Sequence, residues 1–102
     1  ALTNSDREHG EQVQAALGYR LSRRWCAEET RAYKPSTAFW RKVGEPFGPH
    51  WWHVSAYADY DLDPASRLGL TTVFVSRPHA RPGPATHTAS DLVALADRVE
   101  KV

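Results

Sequence analysis

The chain has 102 residues, a length that holds one domain with a modest core and buries on the order of two-thirds of the unfolded surface. Charged residues make up 25% and the apolar set 41%, with a formal net charge of +1. That balance excludes a disordered or fibrous chain, and a whole-protein field that would draw nucleic acid or an anionic membrane. Cys26 is the single cysteine, so an internal disulfide and a zinc site of several thiolates are excluded, and Cys26 reads as a small buried hydrophobe.

Residues 1–4 read as the end of a strand. Val13, Ala16 and Leu17 share a helical face and Gly18 supplies a stop, which predicts a helix over 6–17. Arg23 to Ala27 reads as a short strand. Ser36, just after Pro35, is placed to cap a helix whose stripe is Phe39, Trp40, Val43 and Phe47, ending near Gly44, Pro46 and Gly48.

Trp51 to Ser55 and Leu70 to Val75 read as buried strands, the second rich in β-branched residues. Of the Trp51-Trp52 pair, one ring is expected in the core and the other against a helix or a partner. Between the strands, Asp63 is expected to cap a short helix with Pro64 in its first turn and Gly69 at its end. Pro78, Pro82, Gly83 and Pro84 make 77–87 a loop. Ser90 is then expected to cap a last helix with Leu92, Leu95, Ala96 and Val99 on one face.

Strands alternating with helices over short connections predict an α/β protein with right-handed parallel crossovers. In such sheets the chemistry gathers at the carboxyl ends of the strands. Three stretches fall there: Thr3-Asn4, Ala32 to Pro35, and Ser55 to Asp61. No repeat and no second domain is visible over 1–102. The apolar runs are far shorter than the roughly 20 residues that span a bilayer, and no charged-then-apolar leader opens the chain, so a cytoplasmic location is expected.

Those three stretches, in that order, resemble motifs of the haloacid dehalogenase superfamily, most closely its 2-haloacid dehalogenase-like (type II) branch. ALTNSDRE is similar to the second family motif, a strand ending in Ser or Thr followed by Asn. EETRAYKPSTAFW is similar to the third, a Lys-Pro pair after an acidic loop and before a helix. HVSAYADYDLDPASRLGLTTVFVSRP is similar to the fourth with its helix, the following strand and the closing Arg77. The resemblance covers nearly the whole chain and implies a three-layer α/β/α Rossmann-like core with a mostly parallel sheet. The first motif, which carries the nucleophilic aspartate, and the cap region precede ALTNSD in that family. The resemblance therefore implies the C-terminal part of the core domain, truncated before motif II.

The family reaction begins with attack by an aspartate carboxylate on a carbon bearing halogen or on phosphorus, giving an ester that water hydrolyses. The resemblance implies that Thr3 and Asn4 hold the anionic part of a small substrate. It further implies that Lys34 offsets charge between nucleophile and substrate, and that Asp61 holds the lysine or helps activate water. Read from the residues alone, Thr3 and Asn4 end a strand and make a turn, Lys34 is a surface lysine, and Asp59, Asp61 or Asp63 caps a helix.

Ala56 stands where magnesium phosphatases of the family place an aspartate, so a magnesium site is disfavoured and no cofactor is expected. Ala56 and Ala58 also stand where several members of the dehalogenase branch have Ser and Asn, and Tyr57 where another pattern has Ser. His50, His53, His79 and His87 lack the close pairing of a helical zinc site, and His53 matches a common structural position of the family. Arg20, Arg23, Arg24 and Trp25 read as a solvated face rather than a nucleic-acid patch.

Two readings follow. In one, the chain is part of a hydrolase, inactive until a segment bearing the aspartate joins it, Asp6 and Asp59 lying off the required strand. In the other, it is a noncatalytic remnant that serves as a folded binding or assembly module. Omission of the nucleophile strand would leave apolar strand edges with unpaired backbone groups. Strand pairing between residues 1–4 and 51–55, a complementing segment or a homodimer would close them.

Overall fold

The computed structural model describes residues 1–43 and 50–101. The chain divides into two compact units, Ala1–Pro46 and Phe47–Val102, and each has its own buried apolar residues.

In the first unit the two expected strands shrink to one parallel bridge, Leu2 to Trp25. Thr3 N–H donates to the Trp25 carbonyl at 2.9 Å, and Trp25 N–H to the Ala1 carbonyl at 2.8 Å. Neither strand runs further because helix signals follow at once. Asp6 caps helix α1 (Arg7–Leu17) by accepting the His9 N–H, and Cys26, itself buried as expected, opens the short helix α2 (Ala27–Thr30).

Helix α1 ends where the sequence predicts, at Gly18 with φ +74°, a left-handed position that suits glycine. Its expected apolar face does not pack: Val13 and Leu17 are 46% and 41% exposed. The buried residue of α1 is Gly10, whose carbonyl accepts a 2.6 Å hydrogen bond from Arg24 Nη1. A side chain's charge meets helix backbone there, which hydrophobic periodicity does not register.

Helix α3 (Thr37–Val43) buries Phe39, Trp40 and Val43, the first two rings edge to face at 5.9 Å. Ser36 Oγ accepts the Ala38 N–H at 3.2 Å, the capping role expected of it. Gly44, Pro46, Phe47 and Gly48 lie outside the described residues.

The second unit is built on an all-parallel sheet in the order β1-β2-β3. Strand β1 (Trp52–Ser55) sets Trp52 opposite Thr71 and Ser55 opposite Phe74 of β2 (Thr71–Val75). Strand β3 (His87–Ala89) sets His87 opposite Val73. Val73 and Val75 are buried, as β-branched residues in a parallel sheet should be. Both rings of Trp51-Trp52 are only half-buried, so neither is the core residue expected; Trp52 stacks on His87 at 4.9 Å.

The helix between β1 and β2 starts earlier than predicted. A π-helical turn, Ala58–Leu62, runs directly into α4 (Asp63–Arg67). Leu62 already has helical angles, so Asp63 does not cap. Pro64 has no N–H to give a preceding carbonyl and its ring crowds the turn before it, which accounts for a wider turn at this place. Gly69, with φ +83°, closes the helix as expected.

Strand β3 is a second departure, because the loop was expected to reach residue 87. Thr72 and Thr86 explain where it stops: each backbone N–H donates to the other's hydroxyl, at 3.1 and 3.0 Å, aligning the chain for pairing. Asp91, not Ser90, caps α5 (Leu92–Glu100) by accepting the Ala94 N–H at 2.8 Å. Of the expected face of α5, Leu95 is half-buried, whereas Leu92, Val99 and the neighbouring Val93 are exposed. Among the described residues no helix is long and apolar enough to cross a membrane.

The loop before β3 is seated on the π turn. Arg81 N–H donates to the Ala56 carbonyl at 2.9 Å and its carbonyl accepts from Ala58 at 2.8 Å. A Cβ placed on Gly83 would lie 2.5 Å from that of Ala58. Neither atom belongs to a flexible tip, so Gly83→Ala forces the loop off the turn. It should lower unfolding stability by about 1–3 kcal/mol, read as a lower urea midpoint at unchanged m-value.

Candidate functional site

Burying a lysine requires acceptors for its ammonium, since an unpaired charge away from water is strongly unfavourable. Lys34 is 7% exposed, and its Nζ donates to the Leu2 carbonyl at 2.8 Å. The Phe39 ring centroid lies 5.9 Å from the same nitrogen. Asn4 fixes the backbone of that lysine from both sides, its Oδ1 accepting the Lys34 N–H at 2.7 Å and its Nδ2 donating to the Lys34 carbonyl at 3.3 Å. Thr3 Oγ1 accepts the Ser5 N–H at 3.2 Å and lies 3.1 Å from Ser5 Oγ.

Three of the residues singled out by sequence, Thr3, Asn4 and Lys34, therefore meet at one strand end. The Leu2 to Trp25 bridge brings that end to the loop following α2. There Thr30 Oγ1 binds the Ala32 carbonyl at 3.0 Å, and Arg31 turns the chain with φ +54°. The implied role of Asn4 was substrate binding; its amide is engaged at both ends with Lys34, a positioning contact that the motif comparison alone did not reveal.

Asp61 belongs to the second unit. It is not a helix cap: the π turn carries it into the interior, where its Oδ1 lies 2.5 Å from Nε2 of His53 on β1. Both side chains are buried. One hydrogen is shared between the two, and each side chain thereby fixes the other's orientation. His53 is the functional neighbour that sequence reasoning missed. The available signal was an imidazole on a buried strand followed by a carboxylate in the next helical segment, against a background in which a buried histidine is ordinarily structural.

Around the π turn, Tyr57 stacks on Tyr60 at 5.2 Å and tilts toward His79 at 5.7 Å. Burial raises the Tyr60 phenol above its usual range, and the charge of neighbouring Asp61 adds to the rise. Asp59 pairs with Arg81 at 3.3 Å and Asp6 caps α1, so each of these carboxylates has local work. Among the described residues no group of three His, Cys, Asp or Glu side chains is arranged to hold a metal ion.

No protein-family model matches the sequence, and a search of curated proteins gives no match. Solved structures do match. The crystal structure of the L-2-haloacid dehalogenase PA0810 superposes with a TM-score of 0.80 at 23% identity, over 96% of this chain and 47% of that one. The defluorinating L-2-haloacid dehalogenase Rha0230 gives a TM-score of 0.79 at 22% identity, over 95% of this chain and 44% of that one. The chain has the fold of these dehalogenases over about half their length. At this level of identity the likeness is one of fold, and it is the fold that the three sequence motifs imply.

Two substitutions test the contacts that fix the site residues. Asn4→Ala removes both hydrogen bonds to the Lys34 backbone and should cost about 1–3 kcal/mol, with amide exchange at Lys34 accelerating more than that at β2. His53→Ala takes the 2.5 Å partner from a buried carboxylate and should cost about 3–5 kcal/mol. His53→Gln, whose amide can donate from nearly the same place, should recover part of that loss in urea unfolding.

Proposed function

We propose that this chain is the C-terminal portion of a haloacid dehalogenase-like hydrolase acting on a small 2-halo acid, and that it is inactive until a segment carrying a nucleophilic aspartate completes it. The observation that carries the reading is the buried Lys34 ammonium at the end of the Thr3-Asn4 strand, braced by Asn4 through both backbone groups of the lysine. A buried cation held at a strand end is suited to a reaction in which negative charge gathers beside it. The match to about half the length of two L-2-haloacid dehalogenases supports the partition of the site between this chain and a further segment.

In this reading the incoming aspartate attacks the carbon bearing halogen. A C–O bond forms, the C–halogen bond breaks, and halide leaves with the electron pair. Water then cleaves the ester, returning the carboxylate and releasing a 2-hydroxy acid and a proton. Thr3 holds the substrate carboxylate, Lys34 offsets the charge between nucleophile and substrate, and Asp61, fixed by His53, orients the hydrolytic water. No metal or organic cofactor enters these steps.

The test is complementation. The chain alone should release no halide from a 2-chloro acid, and mixing with a polypeptide that supplies a dehalogenase nucleophile strand and cap should restore release. In that complex Lys34→Ala should reduce turnover by on the order of 100-fold or more. Silence from a complex whose formation is demonstrated by sedimentation would overturn the proposal.

The exposed Leu92, Val93 and Val99 favour a second reading, in which the folded chain is a noncatalytic binding or assembly module that forms a homodimer. That reading expects dimerisation unchanged by Lys34→Ala and Asp61→Ala but abolished by Val93→Asp, measured by sedimentation equilibrium.

A further inference from the structure

The arginines near residues 20–24 were set aside in the sequence as a solvated face, and the first unit gives them a concave arrangement. The turn after α1 and the chain leading to Trp25 enclose an open cavity of about 700 Å³, lined among others by Gln14, Tyr19, Leu21, Arg20, Arg23 and Arg24. Its lining residues include three arginines and no aspartate or glutamate. Among the described residues none of the three pairs with an acid.

The cavity is built from fixed parts. Gln14 ties the turn to α1 from both sides, its Nε2 donating to the Tyr19 carbonyl and its Oε1 accepting the Leu21 N–H at 3.1 Å. Gly18 makes the left-handed step that starts the turn. Arg24 is anchored by its 2.6 Å bond to the Gly10 carbonyl, which uses one of the five N–H donors of a guanidinium. Arg23 lies over the Trp25 ring at 5.2 Å, an arrangement that holds its side chain against a flat surface. Tyr19 is 63% exposed and makes no ring contact among the described residues.

Guanidinium groups gathered without a counter-charge favour an anion that can accept several N–H donors at once, and phosphate does so best. An exposed phenol ring beside them offers a face on which a planar group can stack. We propose that this cavity binds a small phosphate ester bearing a planar ring, the phosphate on Arg20 and Arg23 and the ring on Tyr19. The concavity gathers the arginines in one place, which favours a small molecule over a nucleic-acid strand.

The experiment follows amide shifts of the isolated chain on addition of inorganic phosphate, phenyl phosphate or sodium chloride at matched ionic strength. Saturable shifts confined to residues 14–24 are expected for both phosphates, with phenyl phosphate binding several-fold more tightly, at a Kd on the order of 1 mM. Arg20→Gln with Arg23→Gln should weaken both at least tenfold. Tyr19→Ala should erase the preference for phenyl phosphate while leaving inorganic phosphate unchanged. Arg24 is left in place because it holds α1, and unchanged circular dichroism of the variants checks that the fold survives. Shifts that rise linearly without saturation, equal shifts with chloride, or insensitivity to the double substitution would overturn the proposal. So would an oligothymidylate whose affinity rises with its length, which would assign the arginines to a nucleic-acid strand.

Discussion

The first unit depends on one asparagine side chain. Asn4 accepts from and donates to the backbone of Lys34 across thirty positions of sequence, a closure that a flexible chain makes only against considerable entropy. Once those bonds are in place, the lysine ammonium has a carbonyl to point at, the Leu2 to Trp25 bridge is held at its end, and α3 can bury Phe39 and Trp40 behind the loop. Polar contacts, not a broad apolar interface, locate the loop that carries the lysine. The same is true of α1, which is moored by Arg24 on Gly10 while Val13 and Leu17 face outward.

The second unit solves a different problem, that of seating a carboxylate away from water. A carboxylate leaves solvent only where donors meet it, and β1 supplies His53 for that purpose. The π turn delivers Asp61 to the imidazole, and the loop through Arg81 and Gly83 clamps the start of that turn. Asp61 is thus positioned by three separate stretches of chain, of which the loop through Arg81 and Gly83 lies outside the motif that singled it out. The raised phenol of Tyr60 is a by-product of the same burial and of the charge next to it.

Much of this was legible in the sequence. The β-branched run at Leu70 to Val75, the Gly18 and Gly69 stops and the Ser36 cap are local signals, and the structure bears them out to within a residue or two. The resemblance to haloacid dehalogenases rested on the order of three short motifs, and the fold of the chain agrees with it. What the sequence did not convey depends on encounters between distant residues. Strand β3 exists because Thr86 meets Thr72, and the short helix begins six positions early because Pro64 widens the turn before it. Asp91 displaces Ser90 as a cap because its backbone, not that of Ser90, immediately precedes the helical residues. His53 read as a structural histidine of a buried strand, and its part became visible with its ring against Asp61.

The π turn has an implication for how this chain tolerates change in length. An ordinary α-helix advances about 100° per residue, and the wide turn at Ala58–Leu62 accommodates extra backbone without passing that rotation on to α4. Loss of a single residue from the turn would let it tighten into regular helix, swinging the carboxylate roughly a quarter of a revolution away from the imidazole while Leu62 and Ala65 kept their packing. Residue count between strand and helix, rather than side-chain identity alone, therefore acts as a hidden coordinate here. A one-residue gap in a homologous sequence at this place would mark a protein that preserves the scaffold and relocates the acid.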